Sequence, residues 1–130
     1  KQRLQTHIPV TIPSVLCDQE RVRQVLTNLL SNASKYTPEG GHIDVTVQPA
    51  AEKGYLQIIV ADDGIGIPDE DQAKVFGTFF RAGNAGETGA SGAGLGLTIS
   101  QMLIEQHGGR IWFESGVNQG TAFHFTLPVA

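Results

Sequence analysis

Three groups of residues in this chain have types and spacings that can do chemistry. The first is Asn28, Asn32 and Lys35, spaced by four and three residues. On a helix that spacing puts them on one stripe. An amide oxygen is a suitable hard ligand for Mg²⁺, and an ammonium group offsets phosphate charge as a point cation. The second is Asp62-Asp63-Gly64-Ile65-Gly66-Ile67-Pro68, directly after an apolar run. A carboxylate at a strand end can accept a hydrogen bond from an exocyclic amine such as that of adenine. Glycines beside it let the backbone turn and approach a flat ligand. The third is Gly92-Ala93-Gly94-Leu95-Gly96-Leu97, opening an apolar segment. Amides at a helix N-terminus attract anions once no side chain blocks them. Each group also has a plain structural reading: a solvated helix face, an ordinary turn, a flexible connection.

The elements that must hold these groups are legible from periodicity. Asp18 is placed to cap a helix running to about Tyr36, in which Val22, Val25, Leu26, Leu29, Leu30 and Ala33 make one apolar face. The stripe of Asn28, Asn32 and Lys35 lies well off that face, so it can face a pocket. Ile43, Val45 and Val47 alternate with polar residues as in a half-buried strand, and Tyr55 to Ala61 reads as a central strand covered on both faces. His7 to Ile12, closed by Pro13, reads as an edge strand. A short helix is predicted from about Asp69 to Gly77, and an apolar one from about Leu95 to His107 with Gly108 as its stop. Ala82 to Gly96 carries six glycines and reads as a mobile stretch. Arg110 to Glu114 and Thr121 to Leu127 read as a closing hairpin, with Ile111, Phe113, Phe123, Phe125 and Leu127 toward the core. The simplest packing is an α+β, two-layer sandwich: one mixed, largely antiparallel sheet with three helices on one face.

Composition bounds the rest. The chain has 130 residues, about one domain, with 40% hydrophobic and 17% charged residues, as in a globular protein. A net charge of −4 argues against a nucleic-acid or basic membrane face. A polyphosphate ligand would therefore need local amides, a cation or a metal. Cys17 is the single cysteine, so no internal disulfide forms, and a reducing compartment fits. It is expected to be a packed residue. No apolar run approaches the roughly 20 residues that span a bilayer. The first residue is Lys1 rather than Met, so a fragment of a longer protein is expected, with any membrane segments outside it. His7, His42, His107 and His124 lack metal-ligand spacing and are expected to be structural. His107 falls at a helix end, where a partial positive charge suits the dipole. Neither a Gly-x-Gly-x-x-Gly fingerprint nor a Gly-Lys-Ser/Thr loop fits the glycines at 92, 94 and 96.

Taken in order, the motifs resemble the ATP-binding domain of sensor histidine kinases, within the wider Bergerat-fold ATPases that include gyrase B and MutL. Asn28-Leu29-Leu30-Ser31-Asn32-Ala33-Ser34-Lys35-Tyr36-Thr37-Pro38 looks like the N box, and Asp62-Asp63-Gly64-Ile65-Gly66, with Ile67 after it, like the G1 box. Val75-Phe76-Gly77-Thr78-Phe79-Phe80-Arg81 is similar to the F box, and Gly92-Ala93-Gly94-Leu95-Gly96-Leu97 to the G2 box. The resemblance covers nearly the whole chain and implies a single ATP-binding catalytic domain over residues 1–130.

It further implies that Asn32 binds Mg²⁺, that Asn28 and Lys35 sit near the phosphates, and that Tyr36 and Phe76 lie by the nucleotide. Asp62 would hold the adenine amino group in a pocket shaped by Gly64, Gly66 and Ile67. Gly92, Gly94, Leu95 and Gly96 would form the base of a lid over the phosphates, bordered by Arg81. The implied reaction is transfer of the γ-phosphoryl group of ATP, with Mg²⁺, to a histidine on a separate dimerisation domain of the same protein. A response regulator would be an indirect partner. The isolated domain would be monomeric, the full-length protein a homodimer, and the location cytoplasmic.

Three departures matter. Gly77-Thr78 stands where the F box usually has Glu-Pro, which implies a looser hinge. No acceptor motif of His followed by Glu or Asp is present. Bergerat ATPases that hydrolyse ATP have a glutamate base where this chain has Asn28, and an amide cannot take a proton from water. Two alternatives stay open: a docking module of a degenerate kinase, and an anti-sigma-type serine kinase.

Overall fold

A computed structural model of the chain describes residues 3–8, 18–38, 40–67, 95–116 and 118–129; for residues 3, 35, 36, 95 and 96 it describes the backbone alone. Asp18 caps the first helix, α1 (Gln19–Tyr36), as its side chain accepts from the backbone N–H groups of Glu20 and Arg21 at 3.1 and 3.3 Å. The helix stops at Thr37, whose extended backbone (φ −105°, ψ 122°) is the conformation that the following Pro38 imposes. The second described helix, α2 (Leu95–Gln106), ends against Gly108, whose φ of +81° only glycine adopts freely.

Five strands form one sheet: β1 (Arg3–His7), β2 (His42–Pro49), β3 (Tyr55–Asp62), β4 (Ile111–Gly116) and β5 (Gly120–Pro128), in the order β1-β2-β3-β5-β4. β1 runs parallel to β2, and the remaining neighbours are antiparallel, so the sheet is mixed and largely antiparallel as expected. Val25, Leu29 and Ala33 of α1 and Leu97, Leu103 and Ile104 of α2 pack with Ile58, Val60, Phe123, Phe125 and Leu127 of the sheet. Both helices thus share one sheet face. Each fully buried side chain of this set contributes about 1.5–3 kcal/mol.

One expectation changes and one is only partly tested. The first described strand is Arg3–His7, and most of the strand expected from His7 to Ile12 lies outside the described residues. Its register pairs Leu4 with Ile43 and Thr6 with Val45 of β2. β3 is central, but its burial alternates. Leu56, Ile58 and Val60 are buried, while Tyr55, Gln57, Ile59 and Ala61 are half-buried. The far face is covered by its own side chains: Gln57 donates to His124 Nδ1 at 2.8 Å, His124 Nε2 donates to Glu114 at 3.1 Å, and His124 stacks on Trp112 with centroids 5.1 Å apart. His107 joins the end of α2 to the start of α1: its Nδ1 donates to the Leu103 carbonyl at 2.7 Å, and its Nε2 accepts the Asp18 N–H at 2.9 Å. The helix predicted from Asp69 to Gly77, the stretch from Ala82 to Gly94, and Cys17 lie outside the described residues.

Candidate functional site

The site is assembled where β3 ends, the α1 C-terminus arrives, and the β4–β5 hairpin folds back. Asp62 is the last residue of β3, paired with Thr121 of β5. Burial pushes its carboxyl from 3.8 up to about 6. Backbone hydrogen bonds from Gly64 and Thr121 and a side-chain bond from Thr37 oppose that shift, and the neighbouring Asp63 charge adds to it. The Gly64 N–H reaches Asp62 Oδ1 at 2.9 Å. A desolvated carboxylate of this kind is ready to accept a hydrogen bond from a ligand donor.

Asp63 differs. It is exposed, and the backbone N–H of His42 holds its carboxyl below the ordinary value, with the His42 ring helping. The distances are 2.8 Å to His42 N and 3.0 Å to His42 Nδ1. Asp63 therefore ties the loop to the start of β2.

Beyond Asp62, residues Gly64 to Ile67 are buried, and Gly66 takes φ +73°. Two bonds from the hairpin hold this loop. Asn118 N–H donates to the Ile65 carbonyl at 2.8 Å, and Ser115 Oγ accepts the Ile67 N–H at 2.8 Å. Gly120, with φ +83°, packs so closely on Asp62 that an added Cβ would overlap the Asp62 carbonyl oxygen.

On α1, Asn28 and Asn32 are half-buried, whereas Thr27 and Ser31 beside them are exposed. The amide stripe is thus turned away from the solvated face. Asn28 Nδ2 donates to the Oγ of fully buried Ser100 on α2 at 3.4 Å. From Thr37, next to Asp62, to Asn28 the helix climbs about 13 Å at 1.5 Å per residue. A ligand anchored at Asp62 and laid along α1 would bring its far end to the two amides. Asn32 offers one amide oxygen, which suits a magnesium ion that completes its shell with phosphate oxygens and water. Among the described residues, no group of three His, Cys, Asp or Glu side chains could hold a metal by itself.

Of the residues singled out from the sequence, Asp62, Gly64, Gly66 and Ile67 stand together, and Asn28 and Asn32 lie half-buried further along α1. For Lys35, Tyr36, Leu95 and Gly96 only the helical backbone is described. Phe76, Arg81, Gly92 and Gly94, and with them the lid, lie outside the described residues. Sequence reasoning missed Thr37, Ser100, Ser115, Asn118 and Gly120. Ser100 had a signal, a small hydroxyl within an apolar helix; the others act through contacts that no local pattern encodes.

A family model described as histidine kinase-, DNA gyrase B- and HSP90-like ATPase matches residues 17–130. The adaptive-response sensory kinase SasA of Gloeothece citriformis is 43% identical over 127 residues, which is 98% of this chain and 32% of that protein. The sensor histidine kinase WalK of Bacillus subtilis is 46% identical over 111 residues, 85% of this chain and 18% of that one. The chain thus spans about a third or less of the length of these curated relatives. Among solved structures, the catalytic domain of histidine kinase ThkA superposes with a TM-score of 0.81 at 32% identity, over 98% of this chain and 80% of that one. Full-length ShkA in complex with AMPPNP gives 0.83 at 32% identity, over 99% of this chain and 26% of that one.

Proposed function

Because the chain belongs to the family of histidine kinase-, DNA gyrase B- and HSP90-like ATPases, we propose that it binds Mg-ATP and passes the γ-phosphoryl group to a histidine on a separate acceptor domain, in two-component signalling. Residues 1–130 form one ATP-binding catalytic domain in this reading. The observation that carries it is the desolvated Asp62 carboxylate at the end of β3, beside the C-terminus of the helix that carries Asn28 and Asn32.

Asp62 accepts the exocyclic N–H of adenine, and Gly64 and Gly66 leave room for the ring. The Asn32 amide oxygen would hold Mg²⁺, whose charge would neutralise the phosphates, and Lys35 would add a positive charge. Tyr36, Ile67 and Phe76 flank the nucleotide; Gly92, Gly94, Leu95, Gly96 and Arg81 belong to the closing segment. Phosphoryl transfer needs positioning and charge neutralisation more than covalent chemistry from the protein. Asn28 orients but cannot deprotonate water, so transfer to a protein nucleophile is favoured over hydrolysis.

The partner is the histidine-bearing dimerisation domain of the same protein, so the full-length protein is a homodimer that acts on a response regulator indirectly. Among the described residues, no helix is long and apolar enough to cross a membrane. A cytoplasmic location follows from the need for ATP. Calorimetric titration with ATP, with and without Mg²⁺, tests the reading: saturable binding that Mg²⁺ tightens is expected. A chain that binds no nucleotide would be a docking module.

A further inference from the structure

We infer that Ser115 is a positioning residue for the base end of the nucleotide site, an inference that rests on the ATP-binding reading. Ser115 lies on β4, outside the four motifs, 48 residues from Ile67. A loop whose Gly64 and Gly66 shape the pocket for a flat base needs something to fix it. Asp62 and Asn118 hold its beginning, at Gly64 N and the Ile65 carbonyl. Ser115 holds its end.

The Ser115 hydroxyl meets three groups. It donates to the Gly120 carbonyl at 3.1 Å, accepts the Ile67 N–H at 2.8 Å, and lies 2.8 Å from Thr121 Oγ1. A serine hydroxyl has one proton and two lone pairs. With the proton on Gly120, both lone pairs receive Ile67 N–H and Thr121 O–H, and every site on the oxygen is used. Thr121 is also the β5 partner of Asp62, and its backbone N–H lies beside that carboxylate. One hydroxyl therefore joins the floor of the loop to the strand end that carries Asp62. Ile67 is 7% exposed, so little water can replace the missing acceptor. Without it, the loop end and Asp62 lose their common reference.

The test compares Ser115→Ala and Ser115→Thr in the 130-residue chain by ADP and ATP calorimetry, with amide hydrogen exchange by NMR. The alanine variant should bind both nucleotides about tenfold more weakly, on the scale of one lost hydrogen bond to a buried group. The loss should be equal for ADP and ATP, because it arises at the base end. Exchange of the Ile67 amide should accelerate, while the amides of Val60 and Phe125 in the core strands stay protected. The threonine variant keeps the hydroxyl and should restore affinity to within about twofold of the original. Faster Ile67 exchange with unchanged affinity would overturn the inference, leaving Ser115 a purely structural residue. Loss of affinity in both variants would overturn it too, since the hydroxyl would not be the cause. Failure of the original protein to bind either nucleotide would instead remove the ATP reading itself.

Discussion

Asp62 Oδ1 accepts the Gly64 N–H at 2.9 Å, in a setting where burial nevertheless raises its carboxyl to about 6. A group with a raised folded-state value opposes folding when it is ionised. That cost is present above pH 6 and is relieved as the pH falls from about 6 toward 3.8. Asp62→Asn should therefore stabilise the nucleotide-free chain at pH 7.5, on the order of 1–2 kcal/mol. The same substitution should weaken ATP binding by about 2–3 kcal/mol, the scale of a hydrogen bond to a charged group. Denaturant unfolding and calorimetry on one variant measure the two opposed effects; unchanged affinity would remove the adenine assignment.

The same titration gives a pH dependence for binding. Below about 6 the free protein carries a neutral Asp62 carboxyl, which must lose its proton before it can accept the ligand amine as a carboxylate. Affinity for adenosine, which has no titrating phosphate, should fall as the pH drops from 7 to 5. In Asp62→Asn the residual affinity should be flat over that range. Parallel pH curves for the two proteins would contradict the role.

Asn32→Ala should remove the Mg²⁺ enhancement of nucleotide affinity, because the amide oxygen leaves the metal shell. Asn32 is half-buried on α1, away from the core face, so the fold should tolerate the change. Calorimetry of the variant with and without Mg²⁺ decides it; equal enhancement in both proteins would exclude this ligand.

Gly120→Ala should be severely destabilising, by about 2 kcal/mol or more, since it combines a left-handed backbone with a steric overlap. The added Cβ would meet the Asp62 carbonyl and the Asp63 Cα, at φ +83°. Gly54 offers the control: its φ is +91°, but an added Cβ meets nothing within 4 Å. Gly54→Ala should lose only the conformational part. Equal losses in thermal melts would show that the close approach to Asp62 does not matter.

These sites differ in how far the sequence announced them. The Asp18 cap, the apolar face of α1 and the Gly108 stop are local signals, and each lies where it was expected. The start of β3 at Tyr55 and the alternation of Phe123, Phe125 and Leu127 were equally plain. What escaped was pairing over distance. Ser115 with Ile67, Asn28 with Ser100 and His107 with Asp18 are made by tertiary packing, and no period of 2 or 3.6 marks them.

In the proposed function, the chain positions ATP for a histidine on a separate domain. The direct measurement is incubation of the chain with γ-labelled ATP, alone and with the acceptor domain of its own full-length protein. Alone, it should release phosphate very slowly and remain unlabelled, as Asn28 cannot activate water. With the acceptor domain, label should appear on that domain as a phosphate that survives base and is lost in acid. Rapid hydrolysis by the chain alone, or an acceptor that stays unlabelled while ATP is bound, would contradict the account.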